Sequence, residues 1–242
     1  MGARNDDDDD EPVALFLSGW SDGPLPQLER VLRRRGLRCV YVSLPMPPCG
    51  VTWCANPFVL LLAVVLWLTI VAAERLAATH PALIVVAVAV GSLLARLCVA
   101  GVVRFSVHHG AANARRLLRR HRVAMVVGFS WGGGVALDLL GAWRGPTLLL
   151  APAAVVMGKI GLANPRRKVV DDPTRVRVVL ARFDDFCPQP ASGELFDHLS
   201  MDVVEVADNH ALCGRGASEA IVAAVAALLP NTAPGAGGAL LS

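Results

Sequence analysis

Two long apolar runs in the first half of the chain constrain its fold more than any other feature. Neither Pro57 to Ala73 nor Pro81 to Ala95 contains a charged residue. As a helix rising 1.5 Å per residue, the first run would be about 26 Å long, close to the hydrocarbon thickness of a bilayer. Only residues 74–80 separate the runs. The sequence therefore predicts a helical hairpin over residues 55–104 that inserts into a membrane as two transmembrane helices.

Basic residues are placed unevenly around this predicted hairpin. One arginine, Arg75, stands between the two runs, whereas many follow them, including Arg104, Arg115, Arg116, Arg119 and Arg120. Because basic residues stay on the cytoplasmic side of membranes, we expect an integral membrane protein whose main domain faces the cytoplasm. The second run continues past Arg96 as far as Val103, and an unpaired charge within it costs roughly 2.5 to 3.5 kcal/mol unless it snorkels. An apolar lid over a site and a dimerisation hairpin are the alternatives.

Outside the hairpin, short apolar segments alternate with amphipathic ones. The predicted strands cover residues 13–18, 37–43, 123–127, 146–150, 175–181 and 202–206. Predicted helices cover 26–35, the segment from 105 to 121, 132–140, 192–199 and 217–229, and residues 153–173 are predicted to be irregular. This alternation is typical of an α/β fold with a mostly parallel, doubly wound sheet of about six strands. One domain would then combine residues 12–48 and 105–229, between an acidic disordered tail (1–11) and a flexible tail (230–242).

Composition and charge argue against several classes of partner. Hydrophobic residues make up 54% of the 242 residues, the formal net charge is only +3, and the six cysteines have no zinc-like pairing. The acidic start and the arginine cluster do not by themselves indicate a partner, and no nucleic-acid partner is expected. No metal or cofactor is expected either, and the oligomeric state stays open.

The sharpest local motif is an apolar strand that leads into Gly128-Phe-Ser130-Trp-Gly132 and then into a helix. A sharp turn between strand and helix exposes a serine hydroxyl in a strained backbone conformation, and its neighbours must be glycine because a side chain would collide with nearby backbone. The helix that begins behind the serine helps to stabilise developing negative charge. The motif therefore predicts that Ser130 is a nucleophile.

A serine nucleophile needs a base to take its proton and a carboxylate to orient that base. Asp184 and Asp185 follow the strand predicted at 175–181, and His210 follows the strand predicted at 202–206. Because the carboxyl ends of parallel strands meet at one edge of the sheet, these groups are expected to lie near Ser130. The spacing alone leaves Asp184 and Asp185 as alternative acids.

On these residues the sequence resembles the α/β-hydrolase family, over residues 12–48 and 105–229. The family's acid commonly precedes a proline by four residues, which by resemblance implies Asp184, four before Pro188. The family's oxyanion hole implies the backbone amides of Trp131 and Trp20 as donors. Ser18-Gly19 replaces the usual His-Gly before the second donor. The family's first strands are missing here, so a reduced version of the fold is expected.

The resemblance implies a serine hydrolase that uses Ser130, His210 and Asp184 without a cofactor. Together with the two apolar runs, it predicts a membrane-anchored enzyme that cleaves a carboxylic ester or thioester. The predicted membrane location suggests an acyl lipid as the substrate, although a soluble ester or thioester fits the same residues. Two alternatives remain: a non-catalytic binding or scaffold protein on the same fold, and a membrane protein in which the hairpin has the main role.

Overall fold

The computed structural model describes residues 11–19, 25–44, 56–77, 80–161, 163–168 and 170–230. The acidic run before Glu11, the predicted donor Trp20 and the tail after Pro230 lie outside these residues. The strands are β1 (Val13–Leu17), β2 (Arg38–Val42), β3 (Val123–Phe129), β4 (Thr147–Leu150), β5 (Val176–Phe183) and β6 (Asp202–Asn209). The helices are α1 (Leu25–Arg34), α2 (Pro57–Ala77), α3 (Pro81–Arg120), α4 (Trp131–Leu139), α5 (Ala154–Ile160), α6 (Gln189–His198) and α7 (Arg215–Leu228).

The strands form one parallel sheet in the order β2-β1-β3-β4-β5-β6. The chain moves outward from β1 to β2 and then returns to the other side of β1 at β3. The loops after β1 and β3 therefore leave the sheet at a topological switch point, which is where open α/β sheets bind ligands.

Both faces of the sheet are covered, which explains why its central strands are continuously apolar. Alternate side chains of β1 point to opposite faces, with Leu15 and Leu17 packing on the side of α3, α4, α5 and α6. Ala14 and Phe16 pack on the other side, against α1 and α7. The sheet with covering helices on both faces agrees with the predicted α/β class.

The helix α3 corrects the prediction of a separate basic helix after residue 104. It runs without a break from Pro81 to Arg120. The sequence changes from apolar to basic near Arg104, but no proline follows Pro81 within the helix to interrupt its backbone. The change in composition therefore marks a change of surroundings and not an end of the helix.

The segment predicted to be irregular also differs from the prediction, because α5 occupies its first part. No side chain caps the start of α5, and Gly161 follows its last residue. Without a capping residue or a long apolar period, such a short helix leaves little signal in the sequence. Two short 3-10 turns, Pro165–Arg167 and Pro173–Arg175, complete the connection to β5.

The helices α2 and α3 form the predicted hairpin, and both are long and apolar enough to cross a membrane. They pack closely where α3 has glycine, because a Cβ at Gly101 would lie 2.3 Å from the ring of Phe58 and one at Gly91 would lie 2.2 Å from Thr69 Oγ1. Most of the remaining apolar side chains are exposed: Leu60, Leu61, Val64, Leu66, Trp67, Leu68 and Ile70 on α2, and Leu83, Val85, Val86, Val88, Val90, Leu93, Leu94 and Leu97 on α3. Among the described elements, α2 packs mainly against α3.

Arg96 turns toward the α/β domain. Its guanidinium donates hydrogen bonds to the carbonyl oxygens of Ile160 (2.5 Å) and Lys159 (2.6 Å) at the end of α5. A little over two helical turns further on, Arg104 donates to the carbonyl of Gly161 (2.7 Å). Carbonyls at a helix C-terminus lack partners within the helix and carry partial negative charge, so they suit a guanidinium. These bonds attach the hairpin to the domain and give Arg96 partners away from the exposed apolar faces.

Candidate active site

Ser130 occupies the sharp turn between β3 and α4. Its backbone has φ 53° and ψ −116°, in a region that residues with a side chain rarely adopt. Surrounding hydrogen bonds hold this conformation: the Ser130 amide donates to the carbonyl of Leu150, and the Ser130 carbonyl accepts from the amides of Gly133 and Ala153. The strain is therefore offset by contacts with the end of β4 and the start of α5.

The glycines around Ser130 are required by close packing. A Cβ at Gly132 would lie 1.9 Å from the carbonyl oxygen of Leu17, and one at Gly128 would lie 2.7 Å from the Cβ of Ala136. Gly19, in the loop after β1, is similarly close: a Cβ there would be 2.6 Å from Ser130 Cβ. The loops after β1 and β3 thus meet directly at the serine.

His210 and Asp184 lie beside Ser130 and form a continuous hydrogen-bonded chain with it. His210 Nε2 is 2.8 Å from Ser130 Oγ, and His210 Nδ1 is 2.7 Å from Asp184 Oδ2. With the proton on Nδ1, the imidazole donates to the carboxylate and accepts from the serine hydroxyl. This arrangement is able to remove the serine proton and hold the resulting charge on the histidine.

Of the two adjacent aspartates, only Asp184 reaches His210. Its side chain is buried, while Asp185 is exposed. The other oxygen of Asp184, Oδ1, accepts hydrogen bonds from the amides of Phe186 (2.9 Å) and Cys187 (2.7 Å). These bonds fix the rotamer of Asp184 and satisfy a carboxylate that would otherwise be costly to bury.

A tight loop after β6 positions His210. The Asn209 side chain accepts from the amide of Ala211, and Asp208 accepts from the amide of Gly214 at the start of α7. Asp208 therefore caps the start of α7. Leu212, fully buried with a φ of 52°, anchors the other end of the loop in the core.

Two phenylalanine rings flank the imidazole. The ring of Phe129, at the end of β3, lies 5.5 Å from that of His210, and the ring of Phe186 lies 5.3 Å away on the loop after β5. Phe129 is completely buried, whereas Phe186 is largely exposed. The histidine is therefore enclosed on its inner side and covered by an exposed aromatic ring on its outer side.

Asp184, Cys187 and His210 also form a group that could hold a metal ion, since their ligand atoms lie within 4.8 Å of one another. Burial, and then the nearby charge of Asp184, raise the pKa of the Cys187 thiol to about 12. Cysteine binds metals as a thiolate, and both nitrogens of His210 already have partners. The group therefore fits a proton relay with a neighbouring neutral thiol better than a metal centre.

Trp131, the predicted oxyanion donor, is the first residue of α4. Its amide stands at the helix N-terminus directly after Ser130. Its buried indole donates through Nε1 to the hydroxyl of Ser106 on α3, at 3.1 Å. Sequence reasoning missed this contact, because nothing local to Ser106 indicates a partner 25 positions away. The contact links the long helix to the turn that carries Ser130.

Two other titratable side chains, Asp138 on α4 and His109 on α3, contact residues outside the Ser130–His210–Asp184 chain. Asp138 forms ion pairs with Lys168 and Arg115 on the outer side of α4. His109 stacks on Phe105 within α3. A cavity of about 260 Å³ between α3, α4 and α5 is lined mainly by apolar side chains such as Val107 and Met157, and none of Ser130, Asp184 or His210 lines it.

Comparisons with known proteins show which solved structures share this fold. No protein-family model matches the sequence, and no curated protein is significantly similar to it.

Several solved structures do match the fold of this chain. One hydrolase of the alpha/beta superfamily from Xanthomonas campestris has a TM-score of 0.53 at 17% identity, covering 90% of this chain and 98% of its own. A protein from Butyrivibrio proteoclasticus with ferulic acid bound scores 0.56 at 11% identity, covering 92% and 91%. An a/b serine hydrolase without lid from Xanthomonas campestris scores 0.53 at 16% identity, covering 94% and 85%. The chain therefore has an α/β-hydrolase-like fold.

Proposed function

We propose that this protein is a membrane-anchored serine hydrolase that cleaves a carboxylic ester or thioester. The observation that carries the proposal is the hydrogen-bonded chain Ser130–His210–Asp184 at the carboxyl edge of the sheet, with the serine on a strained turn. Nucleophile, base and orienting acid are within hydrogen-bonding distance of one another, which is the geometry that general-base activation of a serine requires.

In the first half of the reaction, Ser130 Oγ attacks the carbonyl carbon while His210 Nε2 takes the serine proton. Asp184 stabilises the imidazolium and keeps its orientation. The negative charge on the carbonyl oxygen is held by backbone amides, for which we assign Trp131 and Trp20. As the tetrahedral intermediate collapses, His210 returns the proton to the leaving alcohol or thiol, and the acyl group stays on Ser130.

In the second half, His210 takes a proton from water, and the resulting hydroxide attacks the acyl-serine. The intermediate collapses with release of the carboxylic acid, and the proton returns to Ser130 Oγ. Every step uses groups of the chain and one water molecule, so neither a metal nor a cofactor is part of the proposed mechanism.

Membrane anchoring is the second part of the proposal. The exposed apolar faces of α2 and α3 support it, because soluble monomers rarely expose contiguous apolar patches of this extent. The basic residues on α3 beyond Arg104 support a cytoplasmic location for the α/β domain. An acyl lipid is the substrate class that this location favours.

The nucleophile can be tested without knowing the substrate. A fluorophosphonate probe phosphonylates an activated serine with loss of fluoride, so detergent-solubilised wild type should label and Ser130→Ala should not. Ser218→Ala, a substitution on α7, is the matched control and should label like wild type. Absence of labelling in folded wild-type protein would refute the hydrolase proposal and favour a binding or scaffold protein on this fold.

A further inference from the structure

The position of the hairpin relative to Ser130 follows from the direction of α3. The helix α3 ends at Arg120, and β3 begins only three residues later, at Val123. The two elements are therefore antiparallel, and the residues of α3 that precede Arg120 lie progressively nearer the carboxyl end of β3. The hydrogen bond from Trp131 to Ser106 places Ser106 level with the turn that holds Ser130. The length from Ser106 to Arg120, about 21 Å, matches the roughly 20 Å of β3. The part of α3 before Ser106 therefore extends beyond the edge of the sheet that carries Ser130.

Both helices of the hairpin leave the domain at this edge. The segment of α3 from Pro81 to Phe105 is about 36 Å long at 1.5 Å per residue. The start of α2 is held beside it by Asn56, which is completely buried and donates to the carbonyl of Val102 at 3.3 Å. The hairpin thus projects from the catalytic edge of the sheet and not from the opposite edge.

The exposed apolar surface of the hairpin begins a short distance along α3 from the level of Ser130. Leu97 is the residue of this surface nearest the domain on α3, and it stands about 14 Å along the helix from Ser106. That distance is less than the depth of one leaflet of hydrocarbon, about 15 Å. A bilayer around the hairpin would therefore have its headgroup layer against the edge that carries Ser130.

Two exposed aromatic side chains lie at the same edge. Phe183 ends β5 and is 63% exposed, and Phe186 follows it in the loop and is 64% exposed. Exposed phenylalanine side chains in water cost free energy, whereas amphipathic elements use them to enter the boundary between headgroups and acyl chains. We call Phe183 and Phe186 the aromatic rim.

We propose that the aromatic rim rests on the bilayer, so that the substrate is an acyl lipid that reaches Ser130 from the membrane rather than from water. This inference rests on the proposed function, and it adds the surface that meets the bilayer and the route by which the lipid reaches Ser130. The ester of a membrane lipid lies at the base of the headgroup layer, so it needs to rise by less than one leaflet to reach the serine.

The test compares two fluorophosphonate probes on full-length protein in phosphatidylcholine vesicles. One probe is short and water-soluble, and the other carries a long alkyl chain that partitions into the bilayer. The readout is the ratio of their labelling rates at Ser130. We expect Phe183→Ser to lower the ratio of bilayer-bound to soluble labelling roughly tenfold, which corresponds to about 1.4 kcal/mol. Phe183→Trp should keep the ratio, because tryptophan also favours the membrane interface.

Val222→Ser is the matched control, since Val222 is an exposed apolar residue on α7, outside the rim. It should leave the ratio at the wild-type value. If the bilayer-bound probe does not label Ser130, or if Phe183→Ser keeps the wild-type ratio, the inference is wrong while the hydrolase proposal stands. A disulfide between two copies of the Phe183→Cys variant, formed in these vesicles with an added oxidant, would overturn it as well. If the soluble probe fails to label Ser130, it is the proposed function that fails.

Discussion

Asp184 and Asp185 are adjacent in sequence, yet their surroundings differ completely. Asp184 points into the domain, where it meets His210 and two backbone amides, whereas Asp185 points to solvent. The direction of each side chain depends on where β5 ends, and the strand extends to Phe183, two residues beyond the predicted end. The local sequence pattern left both residues as candidates for the acid that orients His210. The position of the loop after β6, which carries His210, distinguishes them.

This difference gives a paired prediction. Asp184→Asn should lower the rate of soluble-ester hydrolysis by about 10³-fold or more, because an amide favours the wrong histidine tautomer and cannot stabilise its charged form. Asp185→Asn should change the rate by less than about threefold, since an exposed surface side chain that is not the partner of His210 has little effect. Equal losses in the two variants, measured with p-nitrophenyl acetate in detergent, would contradict the assignment of Asp184.

The environment of Cys187 leads to a second prediction at this scale. Its pKa is raised to about 12 by burial and by Asp184, from an ordinary value of 9.0. The thiol therefore stays protonated as the pH rises through 9, and only the thiolate reacts with alkylating agents. At pH 8.5 iodoacetamide should modify the exposed Cys213 but not Cys187 in folded protein, as measured by peptide mass spectrometry. Unfolding in guanidinium should abolish the difference, and alkylation of both at similar rates without denaturant would argue against a buried thiol.

At the scale of elements, the turn from β3 to α4 depends on how closely it approaches β1. Gly132 allows the turn to pass the carbonyl of Leu17, and the sequence motif predicts this need without saying which strand is the neighbour. Gly193, on α6, offers the opposite case, because a Cβ there would meet nothing within 4 Å.

Gly132→Ala should therefore destabilise the protein by about 3 kcal/mol, the upper end of the usual cost of overpacking, and abolish probe labelling. Gly193→Ala should instead stabilise it by up to about 1 kcal/mol, because alanine favours helix. Thermal unfolding in detergent together with fluorophosphonate labelling measures both effects. Normal labelling and an unchanged Tm in Gly132→Ala would show that the loop after β1 is not held against the turn.

At the scale of the whole molecule, the proposed insertion of the hairpin into a membrane leads to a prediction about where the protein is found. If α2 and α3 insert into a bilayer, alkaline carbonate should leave the full-length protein in the membrane pellet. A lysine in hydrocarbon costs roughly 2.5 to 3.5 kcal/mol, so Leu66→Lys combined with Val86→Lys should release much of it. Val222→Lys, on the α/β domain, should release none. Extraction of the wild type by carbonate would exclude the two-span hairpin.

The orientation has its own measurement. A membrane-impermeant maleimide should modify Cys213 only after the cells are permeabilised if the α/β domain faces the cytoplasm, because Cys213 is exposed on that domain. Modification of Cys213 in intact cells would place the domain on the other side of the membrane.

The sequence by itself determined the features that depend on local chemistry. Apolar runs bounded by glycine and proline gave the six strands, and uncharged runs of bilayer length gave the two helices of the hairpin. The G-x-S-x-G motif predicted a sharp turn at Ser130 and a nucleophilic role for it, since a nucleophile on such a turn needs glycine within two residues on each side. Each of these signals lies within a few residues of what it predicts, so no knowledge of distant contacts was required.

Tertiary structure alone decided the features that depend on residues far apart in the chain. These include the choice of Asp184, the approach of Gly19 to Ser130, the partners of Arg96, and the contact between Ser106 and Trp131. The unbroken course of α3 is the most consequential, because it fixes the hairpin at the edge of the sheet that carries Ser130. The physical reason is that packing of the sheet and its helices sets these distances, and hydrophobic periodicity records only which face of an element is buried.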